Sequence, residues 1–127
     1  GPEPPVGISV PQAMYDDFVK ISEPIQKIRP DYPFEVKVRE PRKRPTRMGG
    51  TDASVFAIEG VPTLGFTTED FKGYDFDYGE IWHTERDLYT KNIPEYQEHT
   101  ATVNAIIALG VANLDKQLSR EGLYTEE

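Results

Sequence analysis

The sequence predicts an α/β fold: a partial three-layer sandwich in which a parallel or mixed sheet carries helices packed on its faces. Three observations predict it. Segments of helical spacing alternate with short extended ones, in the order helix, strand, short helix, strand, long loop, long helix. Such alternation gathers the strands into one sheet with the helices against it. The extended segments are short and rich in valine and phenylalanine, as strands are. The 127 residues suffice for one core, so the chain is read as a single segment, 1–127.

Residues 1–10 hold four prolines and glycines before Val6 and read as a loose N-terminus. From Pro11, the spacing of Met14, Phe18, Ile21, Ile25 and Ile28 gives a helical stripe, and Asp16 and Asp17 suit the positive end of the helix. Pro24 lies inside this stripe, and an interior proline costs about 3 kcal/mol, which predicts an end or kink near Ser22 or Glu23. Arg29–Pro33 is a turn. In Phe34–Glu40, Phe34, Val36 and Val38 alternate with Glu35, Lys37 and Arg39, the pattern of a strand with one wet face near a sheet edge.

Arg39, Arg42, Lys43, Arg44 and Arg47 then crowd a loop whose prolines forbid regular structure. It reads either as a solvated charge run or as an anion site for a substrate carboxylate. Gly49 and Gly50 free the backbone, Thr51 or Asp52 can cap a short helix, and Gly60 ends that helix in a left-handed turn. Val61–Thr67 is apolar and reads as a buried strand with a neighbour on each edge.

Residues 68–92 are too long for a plain connection. They carry Phe71, Tyr74, Phe76, Tyr78, Ile81 and Trp82, too much apolar surface for disorder, which predicts a compact lid or pocket wall. The acidic Glu69, Asp70, Asp75, Asp77 and Glu80 lack the spacing of a calcium loop and read as a solvated rim. Pro94 opens the last helix, with Tyr96, Val103, Ile107, Val111, Leu114 and Leu118 in one stripe and small residues, including Gly110, that permit close packing. Residues 119–127 read as a polar tail that frays from Arg120 onward.

Fourteen basic against twenty-two acidic residues leave a net charge of −8, which argues against nucleic-acid binding. No run of eighteen apolar residues is present to span a membrane. Without cysteine there are no disulfides and no thiol catalysis. From residue type alone, His83 is either a structural side chain or a metal ligand, and His99, on the flank of the last helix, is structural or surface.

Taken in order, Gly-Gly-Thr-Asp at 49–52, Gly-Val-Pro at 60–62, Trp-His-Thr at 82–84 with acidic residues just after, and a closing helix resemble the two-zinc exopeptidases. That family includes leucyl-type aminopeptidases and glutamate carboxypeptidase-like enzymes. The resemblance spans about Val36–Leu118 and implies that the chain is the C-terminal part of a metallopeptidase catalytic domain. It implies that His83 is a zinc ligand, that Trp82, Thr51 and Asp52 line or border the substrate pocket, and that Glu85 or Asp87 holds the second imidazole nitrogen. Relatives often carry a histidine after the Thr-Asp pair, whereas this chain has Ala53.

The resemblance also implies that the remaining ligands and the general base precede residue 49, where this chain has no histidine. The chain therefore holds no catalytic residue of its own, is inactive in isolation, and binds zinc tightly only within the intact parent enzyme. A peptide is the implied substrate of the parent, the rest of the catalytic domain an implied partner, and a periplasmic or secreted location the implied compartment. Trp82 before His83 also resembles glutaminyl cyclases, an acyl-transferase alternative. A non-catalytic binding module of the same fold is the other. Missing strand partners further predict an open sheet edge through which two copies pair.

Overall fold

A computed structural model describes residues 3–74, 82–86, 88 and 91–125 of the chain. Its elements are β1 (Pro5–Val10), α1 (Tyr15–Ile28), β2 (Glu35–Val38), α2 (Ala53–Ile58), β3 (Gly65–Thr68) and α3 (Pro94–Ala112). A 3-10 turn at Gln12–Met14 leads into α1. The three strands form one mixed sheet in the order β2-β1-β3, with β1 parallel to β2 and antiparallel to β3. The two long helices pack on each other and against this sheet, giving a partial α/β fold.

The centre of that sheet is the segment expected to be loose. Within 1–10, Pro5–Val10 forms the middle strand, and Ile8 and Val10 are fully buried. They join Met14, Phe18, Ile25, Val36, Val103, Ile107 and Leu123 in one core. Burying each large side chain stabilises by about 1.5–3 kcal/mol, so this strand is as much a core element as the helices.

Because β1 takes the central place, the 61–67 segment is not an interior strand. Among the described residues only Gly65–Thr68 pairs, on one side, and all four residues are exposed. β2 lies at the opposite edge, as its wet face predicted, with Val36 buried.

Pro24 does not end α1, which continues to Ile28. The hydrogen bond that proline forgoes would have gone to the carbonyl of Lys20, and both residues are exposed, so water can satisfy that carbonyl. Deeper in the helix, Ser22 is buried and donates its hydroxyl to the Val19 carbonyl at 3.1 Å.

α3 is shorter than its predicted stripe: Tyr96, His99, Val103 and Ile107 are its buried positions, and Leu114 and Leu118 lie beyond its end. Gly110 faces Ile21 of α1 at close range. A Cβ there would stand 2.3 Å from Ile21 Cγ2, so a larger residue would force the helices apart.

The 119–127 tail does not fray over its described part. Leu123 is fully buried, Tyr124 bridges to Arg42, and the Thr125 N–H donates to the Arg42 carbonyl at 2.9 Å. No helix among the described residues is long and apolar enough to cross a membrane.

Candidate functional site

The most heavily bonded polar cluster surrounds the start of α3. Glu95, in its first turn, accepts hydrogen bonds from Tyr32 Oη and Lys72 Nζ on one oxygen and from Tyr74 Oη, at 2.8 Å, on the other. Lys72 also reaches Asp31 at 3.3 Å and lies over the Tyr32 ring, 4.5 Å from its centroid. Tyr96 Oη donates to Asp70 at 2.6 Å and accepts the Lys72 N–H at 3.0 Å. Phe71 packs edge-on against Tyr32 with centroids 5.0 Å apart. Residues 70–74 are thereby folded onto α3.

These contacts set the ionisation of the cluster. Lys72, then Tyr32 and Tyr74, hold the Glu95 carboxyl down at about 2. Its hydrogen bond to Glu95 pushes the Lys72 ammonium above its usual range. Burial, then the Glu95 bond, raises Tyr32 to about 12, and burial, then the Asp70 bond, raises Tyr96 to about 12. A carboxylate held ionised by three donors has no proton to give and little tendency to take one at neutral pH. The cluster is a clamp that ties the loop to the helix.

His99 lies beside this clamp, fully buried against Tyr32 with ring centroids 4.1 Å apart. Neither ring nitrogen has a hydrogen-bond partner. Burial lowers its pKa, helped by the positive charge of Arg29. It is structural, and its enclosure removes it from any substrate.

His83 stands in the opposite condition. It is exposed, its backbone is left-handed at φ 52°, and no hydrogen bond to a described residue holds its ring. Its one ring contact is with Trp82, also exposed, edge-on at 4.7 Å. Non-glycine residues rarely adopt this backbone, and they gather at functional sites. Glu85 is exposed nearby, while Asp75, Phe76, Asp77, Tyr78, Glu80, Ile81 and Asp87 lie outside the described residues. Among the described residues no three histidine, aspartate or glutamate side chains converge as a metal set.

The Gly-Gly-Thr-Asp segment occupies a third place. Asp52 precedes α2 at its cap position but has helical backbone angles, and no side chain caps the helix, so the capping role expected of Thr51 or Asp52 is absent. The Thr51 carbonyl instead accepts the Ser54 hydroxyl at 2.7 Å. Gly60 does close the turn after α2, at φ +74°. Thr51 lines a surface cavity of about 300 Å³ together with Arg42, Lys43 and Arg47, a cavity that includes neither Trp82 nor His83.

The predicted site residues therefore fall into two groups, Trp82 with His83 and Thr51 with Asp52 beside the basic loop. The residues missed were Tyr32, Lys72 and Glu95. Their only signal was an acidic residue in the first turn of a helix, which is common for electrostatic reasons alone. No family model, no curated protein and no solved structure matches the chain.

Proposed function

We propose that this chain is the C-terminal portion of a zinc-dependent exopeptidase catalytic domain, acting on peptides and supplying one zinc ligand, His83, and part of the pocket wall. The observation that carries the reading is the ordered set of Gly-Gly-Thr-Asp, Gly-Val-Pro and Trp-His-Thr, ending in a histidine that packing does not consume.

An exposed imidazole suits zinc, which takes three or four protein ligands. His83 is one of them, and the described residues do not complete the set. In the whole enzyme His83 would help hold the zinc, which would supply polarisation of the scissile carbonyl and acidification of the attacking water. This chain's contribution is to present the His83 ring and to place the flat face of Trp82 beside it. The pairing of Trp82 with His83 at 4.7 Å also suits a glutaminyl cyclase-like acyl transferase, the second reading. An exported location goes with either.

The test is metal content and peptide turnover of the parent protein with and without His83→Ala. Loss of zinc together with turnover is expected. Unchanged zinc content in the variant would overturn the assignment.

The remainder of the domain, or a second copy of this chain, pairs with the free side of β3. That strand is exposed and carries no charged side chain, whereas β2 is guarded by Glu35 and Lys37. Light scattering of the isolated chain over a dilution series is expected to show a monomer–dimer equilibrium. A monomer at every concentration would remove the second-copy reading.

A further inference from the structure

Arg39, Arg42, Lys43, Arg44 and Arg47 sit on a loop that is tethered through its first residues. The Arg39 N–H donates to the Val10 carbonyl at 2.8 Å, and the Arg42 N–H to the Leu123 carbonyl at 3.3 Å. Arg120 returns to the same place: its Nη1 and Arg44 Cζ lie 3.6 and 3.7 Å from where a Cβ on Gly60 would stand. Six cations are thus gathered on a fixed frame.

In a chain of net charge −8, these cations would be expected to hold carboxylates. Yet none of the ion pairs among the described residues involves any of the six. Their guanidinium groups turn on neutral acceptors instead. Arg39 Nη2 donates to the Thr63 carbonyl at 3.3 Å, Arg42 Nη2 to Thr63 Oγ1 at 3.4 Å, and Arg44 Nε to the Ile58 carbonyl at 2.6 Å. Arg39 Nε is buried with no acceptor at all. Arg42, Lys43, Arg44 and Arg47 are exposed, so water weakens the repulsion among these like charges, and a bound anion would offset what remains.

The cavity of about 300 Å³ opens beside them, walled by Arg42, Lys43, Arg47, Thr51, Ser54 and Thr63. Three cations and the Thr51 and Thr63 hydroxyls around one hollow form a donor set for oxyanions, the Ser54 proton being already given to the Thr51 carbonyl, and guanidinium forks match oxyanion oxygens two at a time. The volume suits a small ligand.

We propose that this cavity binds the carboxylate groups of an acidic peptide. The shared chemistry is oxyanion recognition, and the choice of a peptide carboxylate rests on the exopeptidase reading, through the Gly-Gly-Thr-Asp segment that forms one wall.

The experiment is calorimetric titration of the 127-residue chain at low ionic strength, without metal, using N-acetyl-Glu-Glu, its fully amidated form and inorganic phosphate. The acidic dipeptide is expected to bind and the amide not. Arg47→Gln and Arg42→Gln are each expected to weaken binding about tenfold, the scale of one charge-assisted hydrogen bond. Lys20→Gln, an equal charge change on exposed α1, is expected to leave binding unchanged.

Arg47 has no hydrogen bond or ion pair among the described residues to lose, so its variant tests the site without threatening the fold; thermal melts of both variants verify this. Absence of binding by either anion, or an equal loss in Lys20→Gln, overturns the site. Phosphate binding more tightly than the dipeptide overturns the peptide assignment. Since no zinc is present, a failure here leaves the His83 assignment standing, and a failure of His83 leaves this titration readable.

Discussion

His83 and His99 carry the same ring in opposite surroundings. His83 is exposed on left-handed backbone beside an exposed tryptophan, with nothing in the described structure using its nitrogens. His99 is fully enclosed against Tyr32, and nothing uses its nitrogens either. An unpaired nitrogen in water costs nothing and remains available to a ligand. An unpaired nitrogen in the interior has forfeited water without replacement, at a cost of about 1–3 kcal/mol. The difference teaches that an unsatisfied ring is a site only where something can reach it.

The largest effect that would break this contrast is catalytic. On the proposed exopeptidase reading, His83→Ala in the parent protein is expected to lower kcat/KM at least about a thousandfold, as loss of a metal ligand should, whereas His99→Leu leaves it within about twofold. Steady-state kinetics and metal content measured on the same samples decide it. If both variants were equally impaired, burial would be a poor guide to which histidine works. The same reading puts the other ligands and the base outside this chain, so the isolated chain is expected to bind zinc no tighter than micromolar and to leave peptide substrates untouched. A tight, His83-dependent site on this chain alone would show that the other ligands lie within it.

A smaller effect is chemical. Diethylpyrocarbonate acylates accessible neutral imidazoles, and a buried ring reacts only through transient opening. The rate at His83 is therefore expected to exceed that at His99 by about a hundredfold or more, read by mass spectrometry of peptic fragments. Comparable rates would mean that α3 opens readily and that His99 is not enclosed in solution.

Much of this arrangement was legible in the sequence. The stripes of Phe18 and Ile25 on α1 and of Tyr96, Val103 and Ile107 on α3 announced the two packing helices, and Gly60 its left-handed turn. β1 was not legible. Its apolar pair, Ile8 and Val10, is too short to establish a period and is flanked by Pro5 and Pro11. Once β1 is central, β3 must be an edge, so one missed strand moved another. Leu123 in the tail was hidden for a similar reason: a single apolar residue among polar neighbours has no periodicity to reveal it. His83 was singled out by motif, and the clamp of Tyr32, Lys72 and Glu95 was missed because it joins residues from three separate segments.

The smallest effect sharpens the contrast through pH. Burial first, then Arg29 and Lys72, depress the His99 pKa below 6.5, with Asp31 opposing them. Between that folded value and 6.5 the unfolded chain takes up a proton that the folded chain refuses. The stability from neutral His99 is thus complete above 6.5 and is lost as pH falls toward the folded value, with a slope of at most about 1.4 kcal/mol per pH unit. Glu95 acts in a separate, lower window. Held at about 2, its contribution is complete above the ordinary carboxylate range and is lost as pH falls to about 2. His99→Leu should remove the upper window alone. Because it also replaces two unpaired nitrogens with carbon, it should leave stability at pH 7 unchanged or raise it by about 1 kcal/mol. Urea melts of both proteins from pH 7 to pH 3 are the measurement. A variant that keeps the loss just below pH 6.5 would place that proton on another group and leave His99 without the role its burial assigns it.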